Sequence, residues 1–243
     1  MYETIYDNHR IQYKKLFKLF LEYGNFNNSR VIDIGSGTGR YASLFGEQKC
    51  SLLCCLDKSI EMLKISKKKH IDSHYVAADL TKIPFRANSF DTAVMNQVIQ
   101  WIDNKNLAIS EIYKLLNKKG ILLLNTMSYN QLNNLILMKY IPEIYQIEIK
   151  RFPSVEELVC LLNNTNFEII AIKEICETRN YDINQLVNFA KDKATSALRL
   201  YASNIGEDDY HVKIQEYNEL LKINYPNNSI VENHNYTLII STK

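Results

Sequence analysis

The sequence predicts an α/β fold: a doubly wound, mostly parallel sheet of seven strands with an antiparallel last strand and a helical cap. Three observations predict it. Short apolar strand-like runs alternate with helical periodicity from residue 30 to about residue 127. Three of the seven glycines fall within five residues, at Gly35, Gly37 and Gly39. Two further strand-like runs come late, after that rhythm has changed. Strands separated by helices pair in parallel through right-handed crossovers, and two late strands suit an antiparallel finish to the sheet. At 243 residues and 46% hydrophobic, the chain can bury such a core as one domain with an appended layer.

The elements follow in order. Val31–Ile34 reads as the first strand and Arg40–Phe45 as the helix after it. Ser51–Leu56 is the second strand, and Ser59–Lys69, apolar at Ile60, Leu63 and Ile65, the next helix. His74–Ala77 and Phe90–Met95 are strands three and four. A helix over Leu107–Asn117 is stopped by Gly120, and Ile121–Met127 makes strand five. Tyr129–Tyr145 is aromatic and Asn-rich and reads as irregular helix. Ser154, with Glu157 three residues on, is a capping-box pattern ahead of Leu158, Val159, Leu161 and Leu162. Phe167–Cys176 is strand-like, Asp182–Lys193 and Glu207–Lys222 have helical spacing, and Tyr236–Ser241 is the last strand.

Composition narrows the function. The formal charge of +2 gives no electrostatic argument for a nucleic-acid partner, and Lys67-Lys68-Lys69 suits a solvated helix end. No apolar run reaches the roughly 18 residues that span a bilayer, and the N-terminus has no secretory pattern, so no membrane partner and a cytoplasmic location are expected. The five cysteines form no C-x-x-C and no metal spacing with the five histidines, so no metal is expected.

The chemistry gathers where the sheet's carboxyl edge should lie. An apolar strand carrying Asp33 runs into Gly35-Ser36-Gly37-Thr38-Gly39, whose backbone can approach a ligand closely with a helix N-terminus behind it. An acid beside that turn is a poor neighbour for a phosphate and a good one for a cation. This points to a nucleoside bearing an amino acid, S-adenosylmethionine, rather than a nucleotide. Asp57 follows strand two, 24 residues after Asp33, about the spacing at which an acid reaches ribose hydroxyls. Asp79 follows strand three, where it suits an adenine amino group while the Leu80 amide donates to the ring. Taken singly, Asp57 is equally a helix cap and Asp79 a turn residue; their joint placement after successive strands favours the ligand.

Asp33-Ile-Gly35-Ser-Gly37-Thr-Gly39, Asp57, Ala78-Asp79, Ile83-Pro84-Phe85 and Ser89-Phe90-Asp91 recur in this order in class I S-adenosylmethionine-dependent methyltransferases, and the chain resembles that family. Glu111 to Gly120 is similar to the family's helix before strand five, with Lys119-Gly120-Ile121 in place of Pro-Gly-Gly. The resemblance covers residues 1–127 well and 152–243 loosely. It implies a Rossmann-like fold and S-adenosylmethionine as cofactor, held by Tyr6, Arg10, Asp33, Gly35, Ser36, Gly37, Asp57, Lys58, Met62, Ala78, Asp79, Leu80 and Asn96. Asn96-Gln97-Val98-Ile99-Gln100-Trp101 is similar to the segment after strand four in the small-molecule subgroup, and Tyr6-Asp7-Asn8-His9-Arg10 to Tyr13 resembles its lid helix.

The expected organisation is a single methyltransferase domain over 1–243. It has a lid helix over 1–23, a cofactor-binding core over 30–127, and cap elements with C-terminal completion over 128–165 and 178–230. The acceptor is expected to be a small molecule, with His9, Tyr13, Gln97, Gln100 and Trp101 as candidate acceptor residues. The competing placement makes Trp101 a core aromatic and Gln100 a surface residue. No catalytic base is named: a carboxylate acceptor needs none, while a phenol, amine or carbon acid can need one. His9, the candidate near the lid, is more often a surface histidine than a base. A nicotinamide oxidoreductase is the rival enzyme: Gly37-Thr-Gly39-Arg-Tyr-Ala42 spells its fingerprint and Asp57 lies 20 residues on. Asp33 beside a pyrophosphate and the late strands count against it. A non-catalytic subunit that binds S-adenosylmethionine keeps every cofactor motif.

Overall fold

A computed structural model describes residues 13–69 and 72–243. It divides into two compact units. The larger comprises the described residues up to Thr126, with Val155–Ile175 and Thr237–Lys243; the smaller comprises Met127–Ser154 and Cys176–Tyr236.

The larger unit is the sheet. Its strands are β1 (Arg30–Ile34), β2 (Leu52–Asp57), β3 (His74–Ala77), β4 (Phe90–Asn96) and β5 (Leu116–Thr126), joined by β6 (Glu168–Tyr181) and β7 (Ile230–Thr242), both of which begin or end in the smaller unit. The order is β3-β2-β1-β4-β5-β7-β6. β1 to β5 pair in parallel, and β7 runs antiparallel to β5 from Thr126 opposite Thr237 to Ile121 opposite Thr242. The chain leaves β1 toward β2 and β3, then returns to lay β4 on the other side of β1. That reversal is the switch point at which open α/β sheets hold ligands. Seven strands with an antiparallel β7 are what the sequence predicts.

Helices α1 (Tyr13–Tyr23), α2 (Arg40–Gly46), α3 (Ile60–Lys67), α4 (Lys105–Leu115) and α8 (Val155–Asn164) belong to this unit. The core is aliphatic: Ile32, Ile34, Leu56, Met95, Leu122 and Leu124 of the strands pack with Ile109 and Ile112 of α4 and Leu158 and Leu162 of α8. Of the helix expected over 1–23, residues 13–23 are described: Leu16 and Phe20 are buried, and Phe20 packs on Tyr41 and Phe45 of α2. Thr92 then fixes the following loop, its hydroxyl accepting from Asn25 N at 2.9 Å and donating to Asn25 O at 2.8 Å. Helix α8, expected in the cap, packs in the sheet core because its apolar face meets α4.

The helix expected over Leu107–Asn117 starts earlier, where Asn104 caps the amide of Leu107 at 3.0 Å, and ends at Leu115. Strand five therefore begins at Leu116 rather than Ile121. Between the pairs Phe90–Leu116 and Thr92–Ile121 the register shifts, so Asn117 to Gly120 form a bulge, with Lys119 at φ 65°. Lys243 pins it, its N donating to Gly120 O at 3.0 Å and its O accepting from Lys119 N at 3.0 Å. A glycine that reads as a helix stop is a bulge glycine inside a strand.

The smaller unit is mainly helical: α5 (Tyr129–Leu132), α6 (Ile136–Tyr140), α7 (Pro142–Glu148), α9 (Ile183–Lys191), α10 (Ser196–Ile205) and α11 (Glu207–Asn224). The irregular helix expected over 129–145 is three pieces, with Pro142 opening α7 at a position that needs no amide hydrogen. Helix α10, capped by Thr195 on the amide of Leu198 at 3.2 Å, is not among the expected elements, although Ala197, Leu198, Tyr201 and Ala202 form a buried face at helical spacing. Tyr201, Tyr210 and Tyr217 are buried with Ile214, Leu221 and Ala190, and Tyr210 donates its hydroxyl to Ala190 O at 2.6 Å. Among the described residues no helix is long and apolar enough to cross a membrane, and no three His, Cys, Asp or Glu residues gather to hold a metal.

Candidate functional site

The glycine turn is sewn to the end of β2. The amides of Gly35 and Ser36 both donate to Leu56 O, at 2.7 and 3.0 Å. Gly35 has φ 66°, and a Cβ there would come within 2.3 Å of the Val98 side chain, so both conformation and space demand glycine. Gly37, at φ 54°, differs: a Cβ would meet nothing within 4 Å. The turn is closed on one side by Val98 and open above Gly37, where a ligand can approach the backbone.

Two acids, Asp33 and Asp57, border the turn, and a third, Asp79, follows β3. Asp57 is clamped by backbone, its Oδ2 accepting from Gly37 N and its Oδ1 from Ser59 N, each at 2.8 Å. A carboxylate has about four lone-pair sites, so two remain for hydroxyl donors. Asp33 is only 3% exposed. Burial first, then the neighbouring Asp57 carboxylate, push its carboxyl up to about 7, against the pull of the Ala42 amide. Asp79 accepts from the Thr81 hydroxyl at 2.7 Å and the Thr81 amide at 2.9 Å, and pairs with Lys58 at 3.0 Å. These partners hold it well below the usual carboxylate range, Thr81 foremost. Asp79 thus makes the turn contacts of the simpler sequence reading, with its second oxygen on exposed Lys58. Ala78 N donates to Asp57 O at 3.1 Å and so joins the ends of β2 and β3. Met62 lies in the first turn of α3, its amide capped by the Ser59 hydroxyl at 3.3 Å, and Leu80 packs against the sheet core.

The segment after β4 completes the edge. Asn96 accepts from Asn125 Nδ2 at 2.7 Å. Gln97, at φ 57°, donates its amide to Asn125 O at 2.8 Å, and its side-chain Nε2 is buried without a protein partner. Gln100 is buried, donating to Gln97 O at 2.9 Å and accepting from the Thr126 hydroxyl at 3.3 Å. It is not the surface residue of the alternative placement. Trp101 is 54% exposed and is not a core aromatic. Tyr13 opens α1; Tyr6, His9 and Arg10 lie outside the described residues. Sequence reasoning missed Val98 and Asn125. The available signal for Asn125 is one asparagine ending the apolar run Ile121-Leu122-Leu123-Leu124.

A glycine turn, an acid after each of the next two strands and a switch point behind them define a Rossmann-like fold that holds a nucleoside cofactor. Residues 32–124 match the family model described as a methyltransferase domain. A malonyl-[acyl-carrier protein] O-methyltransferase of Hamiltonella defensa subsp. Acyrthosiphon pisum (strain 5AT) is 31% identical over 162 residues, 66% of this chain and 62% of the relative. The chain spans less than two thirds of that relative's length. A solved structure of a candidate methyltransferase from Bacillus halodurans C-125 superposes with a TM-score of 0.66 at 18% identity, over 94% of this chain and 98% of that one. The [4+2]-cyclase SpnF superposes at 0.58 with 17% identity, over 94% and 80%. At such identities the structures speak to the fold alone.

Residues 32–124 match a methyltransferase domain and are similar to class I S-adenosylmethionine-dependent methyltransferases, whose cofactor is S-adenosylmethionine. The residues present fit that group. Gly37 leaves its approach open, Asp57 keeps lone pairs for hydroxyls, and the orphaned Gln97 Nε2 leaves a donor to be filled.

Proposed function

We propose that the protein binds S-adenosylmethionine and transfers its methyl group to a small carboxylic acid, free or carried on a protein. The observation that carries the reading is the Asp57 clamp. Two backbone amides aim the carboxylate beside an open glycine, the arrangement a ribose needs. Buried Asp33 supports a ligand with positive charge and speaks against a pyrophosphate, hence against the nicotinamide reading. The acid acceptor is drawn from the relative's name and from chemistry. The cofactor supplies a methyl group already activated on a sulfonium, and a carboxylate attacks it without a base. The chain's residues then have to bind, align and exclude water.

Calorimetry with S-adenosylhomocysteine, NAD and NADP tests the cofactor. Asp57→Ala should weaken S-adenosylhomocysteine by about 10–150-fold, roughly 1.5–3 kcal/mol, with the fold intact. Preferential binding of NAD would return the oxidoreductase reading. Ester formation on malonyl thioesters and a panel of short-chain acids tests the acceptor. Cofactor binding with no turnover on any acceptor class would favour a binding subunit.

A further inference from the structure

Asn125 is out of place on its strand. It follows three leucines, is 1% exposed, and stands in register beside Asn96 of β4. An amide buried among aliphatic side chains costs free energy unless its polar atoms are used. One of them is. While the backbone O of the same residue accepts from Gln97 N at 2.8 Å, the side-chain Nδ2 donates to Asn96 Oδ1 at 2.7 Å.

Each bond has a consequence for the site. The first holds Gln97 at φ 57°, a left-handed conformation that a residue with a side chain adopts only under constraint. It also sets the path of Val98, which closes over Gly35. The second occupies the Asn96 carbonyl, leaving Asn96 its N–H groups to offer a ligand. Asn125 Oδ1 itself has no protein partner, and neither does Gln97 Nε2, and both are buried. An unfilled acceptor and an unfilled donor in one cluster suit a ligand group that donates and accepts together.

We propose that the Asn125 side chain is a positioning group for the cofactor site, acting through Asn96 to set the segment after the fourth strand. The inference rests on the S-adenosylmethionine reading above. Asn125→Leu keeps the side chain's branching and number of heavy atoms and extends the leucine run, so the ligand-free protein should remain folded. Its affinity for S-adenosylhomocysteine, read by calorimetry, should fall at least about tenfold. The isosteric Asn125→Asp removes the donor to Asn96, should also weaken binding, and serves if the leucine variant does not fold. In the double variant with Asn96→Leu the loss should be no greater than in the worse single variant, because one residue acts through the other. A folded variant with unchanged affinity overturns the proposal, as do fully additive losses in the double variant. Wild-type protein that does not bind S-adenosylhomocysteine overturns the cofactor reading and this inference with it. Wild-type binding with unchanged variants overturns the inference alone.

Discussion

The two units bury polar groups in opposite ways. In the sheet unit the strands bury aliphatic side chains. Of its buried polar residues, Ser66, Thr92 and Ser241 lie elsewhere in the unit, while Asp33, Ser36, Gln100, Asn125 and Thr126 lie at or beyond the ends of β1, β4 and β5. Ser36 Oγ and Asn125 Oδ1 find no protein partner there. In the smaller unit the buried acids bind neighbours. Glu148 pairs with Arg151, Glu177 with Arg179, and Glu232 with His234 at 2.5 Å while accepting from Ile136 N at 2.6 Å. The contrast separates two uses of buried polarity. Unfilled polar atoms gathered after β4 and at the end of β5 suit a ligand edge, whereas charged pairs fix the arrangement of helices that no sheet ladder holds in place.

The harshest way to break this comparison is at the turn. Gly35→Ala combines a left-handed φ with a methyl forced onto Val98, and should destabilise the protein by about 2–5 kcal/mol in urea titration. Adding Val98→Ala should restore the packing part and leave the conformational part. Full restoration would mean that space alone dictates the glycine.

In the smaller unit Arg151→Ala leaves Glu148 buried and unpaired, an expected loss of about 2–4 kcal/mol at pH 8. Burial already raises the Glu148 carboxyl and Arg151 pulls it back down, so without Arg151 it rises further. A folded pKa raised above the unfolded value means that ionisation costs stability, so the loss should shrink as pH falls toward 5. A loss independent of pH would make Arg151 a packing residue.

Asp33 gives the sheet unit its own pH signature. Its folded value of about 7 lies above the ordinary 3.8, so the native state holds the proton longer than the unfolded chain. Stability of the free protein should therefore decline from about pH 4 to pH 7 and level off above. Asp33→Asn should flatten that slope. A cationic ligand favours the ionised form, so S-adenosylmethionine binding at pH 6 should release protons, detected by calorimetry in buffers of different ionisation enthalpy. Equal observed heats in all buffers would place the ligand's charge away from Asp33.

The smallest effect is expected at Trp101. Since half of it is exposed, Trp101→Ala should shift stability by less than about 1 kcal/mol. A larger loss would show it packed in solution, and a fall in turnover at unchanged stability would place it against the acceptor.

Local signals make the cofactor edge legible in the amino-acid sequence. A strand, a glycine turn and a helix are contiguous along the chain, and an acid closing the next strand is read from the run ahead of it. The sheet's alternation is equally local, so its strands are readable up to the bulge at Asn117–Gly120. That bulge depends on Lys243 and on the register with β4, neither of which neighbours it in the chain.

The winding of the sheet, the glycine turn and the acids around it follow from sequence because each is encoded within about ten residues. Four outcomes come instead from long-range packing. Val98 closes the turn, Asn125 braces Asn96 and Gln97, Gln100 is buried while Trp101 is exposed, and α1 and α8 belong to the sheet unit. Each depends on which faces meet across strands far apart in the chain. Packing and hydrogen bonding between distant segments carry no periodicity along the sequence from which they can be read.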